Sequence, residues 1–224
     1  MLIRTILLLQ LFLSIESFAE NPIVNRYRDN SLPSFDFKLS ESSNRYDDID
    51  FVPSSFNSIE EVQKLMNELK YNTRVRSQCY QRAHLWSLEM RQMTNAKTGK
   101  VFLFFTDRYI REHNFGWWFH VAPLVLINDA EWVVDPYFFD HPVDLQTWTN
   151  HFMPSHPVCK IAKSYVDYEN GINEEYCFLR KLPMYYYTPS TIEERDKRNV
   201  LISDWLDDDV IGAYQSIRRP WWKF

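Results

Sequence analysis

Gln78-Cys79-Tyr80-Gln81-Arg82-Ala83-His84 marks the place where a polar connection ends and a helical pattern begins. From Cys79 onward the apolar positions Tyr80, Ala83, Leu85, Trp86, Leu88 and Met90 fit a half-buried helix running to about Met93. Two later stretches are built to meet it: Trp117-Trp118-Phe119-His120-Val121-Ala122-Pro123-Leu124-Val125 and Trp132-Val133-Val134-Asp135-Pro136. Both read as strands, the first from Trp117 to Ile127 and the second from Glu131 to Asp135, joined by a turn at Asn128-Asp129. A thiol at a helix start, with a His and an Asp each carried by a strand, is the set of groups that cysteine acyl transfer needs.

The spacing of that hairpin tests whether His120 and Asp135 can meet. A two-residue loop at Asn128-Asp129 sets Ile127 against Ala130 and Asp135 against Ala122. Side chains alternate along a strand, so Ala122 and His120 share a face, and His120 and Asp135 become diagonal neighbours. A loop of odd length would put them on opposite faces. The count permits the pair without proving it.

Outward from this core, Ser58-Ile59-Glu60-Glu61 is a capping box opening an amphipathic helix to about Tyr71. Val101-Phe102-Leu103-Phe104-Phe105 is a continuous apolar run, read as a buried strand. After Pro136 the chain reads as loop-rich, with a polar excursion between Cys159 and Cys177. Leu182 to Tyr187 reads as an aromatic strand, Ser190-Thr191-Ile192-Glu193 as a capping box, and Val200 to Ile217 as helical.

The 224 residues suit one domain, with 45% hydrophobic and 17% aromatic residues, a composition that supports a folded core. A net charge of −5 and the absence of a Lys/Arg run argue against a nucleic-acid partner. Residues 1–19 read as a cleaved signal peptide: Arg4 near the start, an apolar run from Thr5 to Ile15, then Ser17-Phe18-Ala19. That run is shorter than the ~20 residues that span a bilayer. The expected product is exported, periplasmic or secreted, monomeric, and free of the membrane once cleaved. Residues 20–57 read as a polar N-terminal arm and 58–224 as the catalytic domain. Three cysteines in an oxidising compartment suggest one pair, Cys159 with Cys177, and leave Cys79 unpaired. The bland alternative is a buried, inert Cys79.

A helix start favours thiolate through unpaired backbone N–H groups. A His takes the proton, an acid orients the imidazole, and N–H groups at the helix start hold the developing oxyanion. Of six histidines, His113, His141, His151 and His156 lie in charged or Pro-rich segments, and His84 projects along the helix away from Cys79. His120, inside an apolar strand, is the candidate base, against the alternative of a satisfied core histidine. Asp135 needs a partner if buried, against the alternative of a turn cap before Pro136. No His or Cys pair has metal-ligand spacing, and four glycines leave no phosphate loop, so no metal or cofactor is expected.

Three motifs then carry a resemblance. Cys79-Tyr80-x-Arg82-Ala83-His84, Trp118-x-His120-Val121-Ala122-x-Leu124-Val125 and Asp135-Pro136-x-x-Phe139 resemble the bacterial protein-glutaminases, which are secreted protein glutamine deamidases. The likeness continues into Pro142-Val143 and Trp148-x-Asn150, covering roughly Cys79 to Asn150. It implies an α+β fold with a papain/transglutaminase-like core, the nucleophile at a helix N-terminus packed on an antiparallel sheet. It implies Cys79 as nucleophile, His120 as base and Asp135 as orienting acid. The implied reaction deamidates glutamine in proteins or peptides, through a thioester. Those enzymes are cysteine-rich with a long pro-region, unlike this chain. Transglutaminase and cysteine peptidase chemistry use the same triad. An inactive surface-binding or immunity module, working through an aromatic surface that includes Trp221 and Trp222, is the alternative of another class.

Overall fold

A computed structural model describes residues 53–70, 77–153, 158–200, 202 and 205–218. In chain order the first elements are β1 (Ser55–Phe56), α1 (Ile59–Glu68), α2 (Cys79–Thr94), β2 (Gly99–Phe105) and α3 (Asp107–His113). There follow β3 (Phe119–Ile127), β4 (Ala130–Val133), β5 (Val143–Asp144), α4 (Leu145–Phe152) and β6 (Lys160–Ile161). The chain continues through α5 (Tyr165–Gly171), β7 (Cys177–Pro183), α6 (Pro189–Arg198) and α7 (Asp207–Arg218). The fold is mixed α+β. The expected signal peptide, most of the arm, His156 and the Trp221-Trp222 pair lie outside the described residues.

The apolar run at Val101–Phe105 forms the middle of the sheet because it can be buried on both faces, and every residue of β2 is buried. The strand order is β5-β4-β3-β2-β7-β6, with β1 alongside β3. Pairing is antiparallel from β5 to β7, while β6 runs parallel to β7 and β1 parallel to β3. Alternation splits β2 and β3 between two apolar layers. Phe102, Phe104 and Val121 pack with Ala83, Leu85 and Leu88 of α2 and with Val210 and Ala213 of α7. Val101, Leu103, Ala122 and Leu124 pack with Trp148 and Phe152 of α4 on the other side.

The Asn128-Asp129 turn takes positive φ at both residues, 49° and 64°, the geometry whose twist matches a right-handed hairpin. Ile127 faces Ala130 and Leu124 faces Val133, the register expected from the two-residue loop. Ser58 caps α1, its Oγ accepting from Glu61 N–H at 3.3 Å. α2 opens at Cys79, where Gln78 N–H donates to Gln81 Oε1 at 2.9 Å, and closes at Asn95 with φ 61°. Among the described residues no helix is long and apolar enough to cross a membrane.

Several boundaries differ from expectation for physical reasons. Ser55 and Phe56, read as the end of the arm, form β1, because β2 starts too late to cover Leu126 and Ile127. The aromatic strand begins earlier, at Cys177, and stops at Pro183, with Met184 and Tyr185 forming a turn. Its polar residue Arg180 hid the pattern; it is buried and forms an ion pair with Asp196 of α6. The segment read as loops holds α4, capped by Asp144 accepting from Thr147 N–H at 2.9 Å, and α5, capped by Ser164. α6 starts from a Thr188 cap with Pro189 in its first turn rather than from Ser190, and α7 begins only at Asp207.

Candidate active site

Cys79 is the first residue of α2 and His120 the second residue of β3, so both sit at the ends of their elements. They line one cleft of about 270 Å³, with Ser77, Gln78, Arg82, Gly116, Trp117, Trp118, Phe119 and Tyr137 around them. Cys79 is part-exposed and free, whereas Cys159 and Cys177 are joined in a disulfide. The thiol and the His120 side chain line the same cleft and influence each other electrostatically.

His120 is buried, and its Nε2 lies 2.8 Å from Asp135 Oδ2. Asp135 sits two residues beyond β4, on the face that the hairpin register predicts. Its two ends do separate jobs. The backbone carbonyl accepts from Phe138 and Phe139 N–H, holding the turn after Pro136. The carboxylate turns inward, and Oδ2 also accepts from Trp148 Nε1 at 3.0 Å. Asp135 Oδ1 is buried without a hydrogen-bond partner among the described residues.

The imidazole lies in an aromatic box. Trp148 stacks at 5.5 Å, Phe152 lies at 4.6 Å, Phe138 at 5.2 Å and Trp117 at 5.9 Å between ring centroids. Burial, the largest single influence, favours the neutral ring, but the pair with Asp135 and the contact with Cys79 outweigh it. His120 is pushed up to about 9, so near neutral pH it carries a charge. With Nε2 given to Asp135, Nδ1 is the ring nitrogen left for Cys79.

The remaining histidines go elsewhere. His84 is fully buried, with Nδ1 2.7 Å from Lys100 Nζ and its ring between Tyr187 and Trp205. Burial holds both His84 and Lys100 well below their ordinary ranges. His113 packs at a tilt on Tyr109, His141 pairs with Asp140, and His151 packs on Phe139. Among the described residues no three His, Cys, Asp or Glu side chains gather as a metal site.

Two contributors were quoted in the sequence motifs without a role. Trp148 supplies the second donor that a buried carboxylate requires, and a Trp in the helix that follows an Asp-bearing strand is a weak signal for it. Arg82 lines the cleft with its guanidinium 4.1 Å above the Tyr137 ring. An Arg three residues after a helix-start cysteine lies on the cysteine's side of the helix, which is the signal available in the sequence.

Residues 52–152 match the model of a family described as glutaminase. This stretch contains every residue that lines the cleft and supports the resemblance seen in the motifs. No curated protein matches the chain in sequence. Among solved structures, the solution structure of protein-glutaminase from Chryseobacterium proteolyticum is 18% identical with a TM-score of 0.41, covering 61% of this chain and 78% of that one. A crystal structure of pro-protein-glutaminase is 18% identical with a TM-score of 0.40, covering 76% of this chain and 60% of the other's length.

Proposed function

We propose that the protein is a cysteine-dependent amidohydrolase that converts glutamine side chains of proteins or peptides to glutamate. One coincidence supports this reading most. The stretch matching the glutaminase family is the stretch that brings a free cysteine, a buried His–Asp pair and an open cleft together.

The reaction follows from the groups present. With its proton already held by the charged His120, Cys79 attacks as thiolate on the side-chain carbonyl carbon of glutamine, forming a C–S bond. Backbone N–H groups at the start of α2 hold the tetrahedral oxyanion. The C–N bond breaks, and ammonia leaves with the proton from His120. Water then attacks the thioester carbonyl and gives its proton to His120. The C–S bond breaks, releasing glutamate and restoring the thiolate. Asp135 holds the ring in the orientation that serves both proton transfers. One water is consumed and one ammonia released per turnover.

The test uses the mature protein with a casein-like substrate. Ammonia release, peptide-bond cleavage and cross-linking are followed together. Ammonia without fragments or cross-links is expected, and its loss in Cys79→Ala and His120→Ala. Fragments would instead indicate a peptidase and cross-links a transglutaminase. Ammonia release surviving in Cys79→Ala would remove the assignment of the nucleophile.

A further inference from the structure

The reactive state of this site, Cys79 as thiolate, His120 as imidazolium and Asp135 as carboxylate, carries one net negative charge in a largely buried setting. An uncompensated buried charge is costly, and the cheapest relief is to reprotonate the sulfur. The compensating charge is present beside it. Arg82 is buried, lines the same cleft as Cys79 and His120, and leaves α2 one turn beyond Cys79 on the same side.

Its guanidinium is held from three sides. Nη1 donates to the Ser77 carbonyl and, at 3.1 Å, to Ser77 Oγ, so the chain entering the nucleophile is tied to the helix that carries it. Its plane lies 4.1 Å above Tyr137 and 5.9 Å from Trp86. Nε is buried with no hydrogen-bond partner among the described residues. A buried guanidinium with an unused donor is poorly explained as a structural brace alone. It is well explained as a fixed charge facing anions. Arg82 feels Cys79, Asp135 and Tyr137 electrostatically, and these oppose the burial that lowers it.

We infer that Arg82 is a positioning residue: its fixed charge balances the Cys79–His120–Asp135 site and keeps Cys79 available as thiolate, while its grip on Ser77 sets the thiol at the mouth of the cleft. The titratable groups around the sulfur are His120 from β3, Asp135 and Tyr137 from the segment after β4, and Tyr80 and Arg82 from α2. Tyr187 packs behind Tyr80 at 5.1 Å. Arg82 is the permanent cation of that set. This deepens the proposed thiol mechanism, but its test needs no substrate.

The test is the rate of alkylation of Cys79 by iodoacetamide as a function of pH, on the full protein with its disulfide intact. Only thiolate reacts, so the rate reports its fraction. Arg82→Gln keeps a donor for Ser77 and removes the charge. It is expected to slow alkylation at pH 6 by about tenfold and to move the rise of the profile upward by about one pH unit. Arg82→Lys keeps the charge and is expected to stay within about threefold of the parent. A folded Arg82→Gln protein with the parent's profile overturns the inference, as does Arg82→Lys reacting as slowly as Arg82→Gln. Should Arg82→Gln fail to fold, Arg82→Lys decides: a parental profile supports the charge, and a tenfold loss overturns it. Because alkylation is independent of glutamine, a negative result here leaves the ammonia assay untouched, and the reverse also holds.

Discussion

At the scale of single residues, the buried carboxylate of Asp135 governs the site. It accepts from both His120 and Trp148 through one oxygen, which fixes the imidazole plane against two neighbours. Asp135→Asn is expected to lower kcat about a hundredfold or more, since an amide cannot stabilise the imidazolium or set the tautomer. Trp148→Phe keeps the stacking and loses one donor. A drop of about tenfold in kcat with KM unchanged is expected, and a change confined to KM would refute the orienting role. The pair also leaves a mark on stability. His120 is raised to about 9 against an ordinary value near 6.5, so the folded protein holds its proton more tightly. The resulting stabilisation is complete below about pH 6.5 and disappears as pH rises through about 9. In urea unfolding, the gap between the parent and Asp135→Asn should therefore be wide at pH 6 and narrow at pH 9.5. A gap that widens with pH would contradict the assignment.

At the scale of elements, register is what brings His120 and Asp135 together, and the two-residue turn sets it. Asn128 and Asp129 both adopt positive φ, where Gly is favoured at the second position. Asp129→Gly is expected to leave activity intact and to stabilise the protein by up to about 1 kcal/mol, as strain at positive φ is relieved. Asp129→Val should destabilise it and lower activity, measurable as a lower Tm together with slower ammonia release. The hairpin and the central strand were legible and follow directly from where their apolar residues fall; α2 was found as a helix, but not half-buried as expected, since Gln81 to Arg91 are all buried between the sheet and its neighbours. Others were not legible. The strand from Cys177 carries Arg180 at a buried position, and the ion pair with Asp196 across to α6 helps make that burial tolerable. Short α3 and α5 have seven residues each and a single buried side chain, Tyr109 and Tyr168, too little for a period to show.

At the scale of the whole molecule, one covalent tie holds the edge of the sheet. Cys159 and Cys177 enclose a short loop, and opening it through paired Ala substitutions should cost about 3 kcal/mol in the chain-entropy picture. Thermal unfolding measures the loss, while Cys79 alkylation at 25 °C should be unchanged, because the disulfide lies outside the cleft lining. The chain itself determined the helix start at Cys79, the even hairpin that puts His120 and Asp135 on one face, and which cysteine is left over. These are local matters of period, turn length and parity. What only the tertiary structure decided is the closing of the cleft. α2 packs on one face of the sheet, while the His120–Asp135 pair faces the other layer, so the thiol shares a cleft with His120 only because both lie at the ends of their elements. Trp148 and Arg82 acquire their roles the same way. Each is ordinary in its own helix, and becomes part of the site because a buried charge accepts whichever donors and countercharges the packing of distant segments brings within reach.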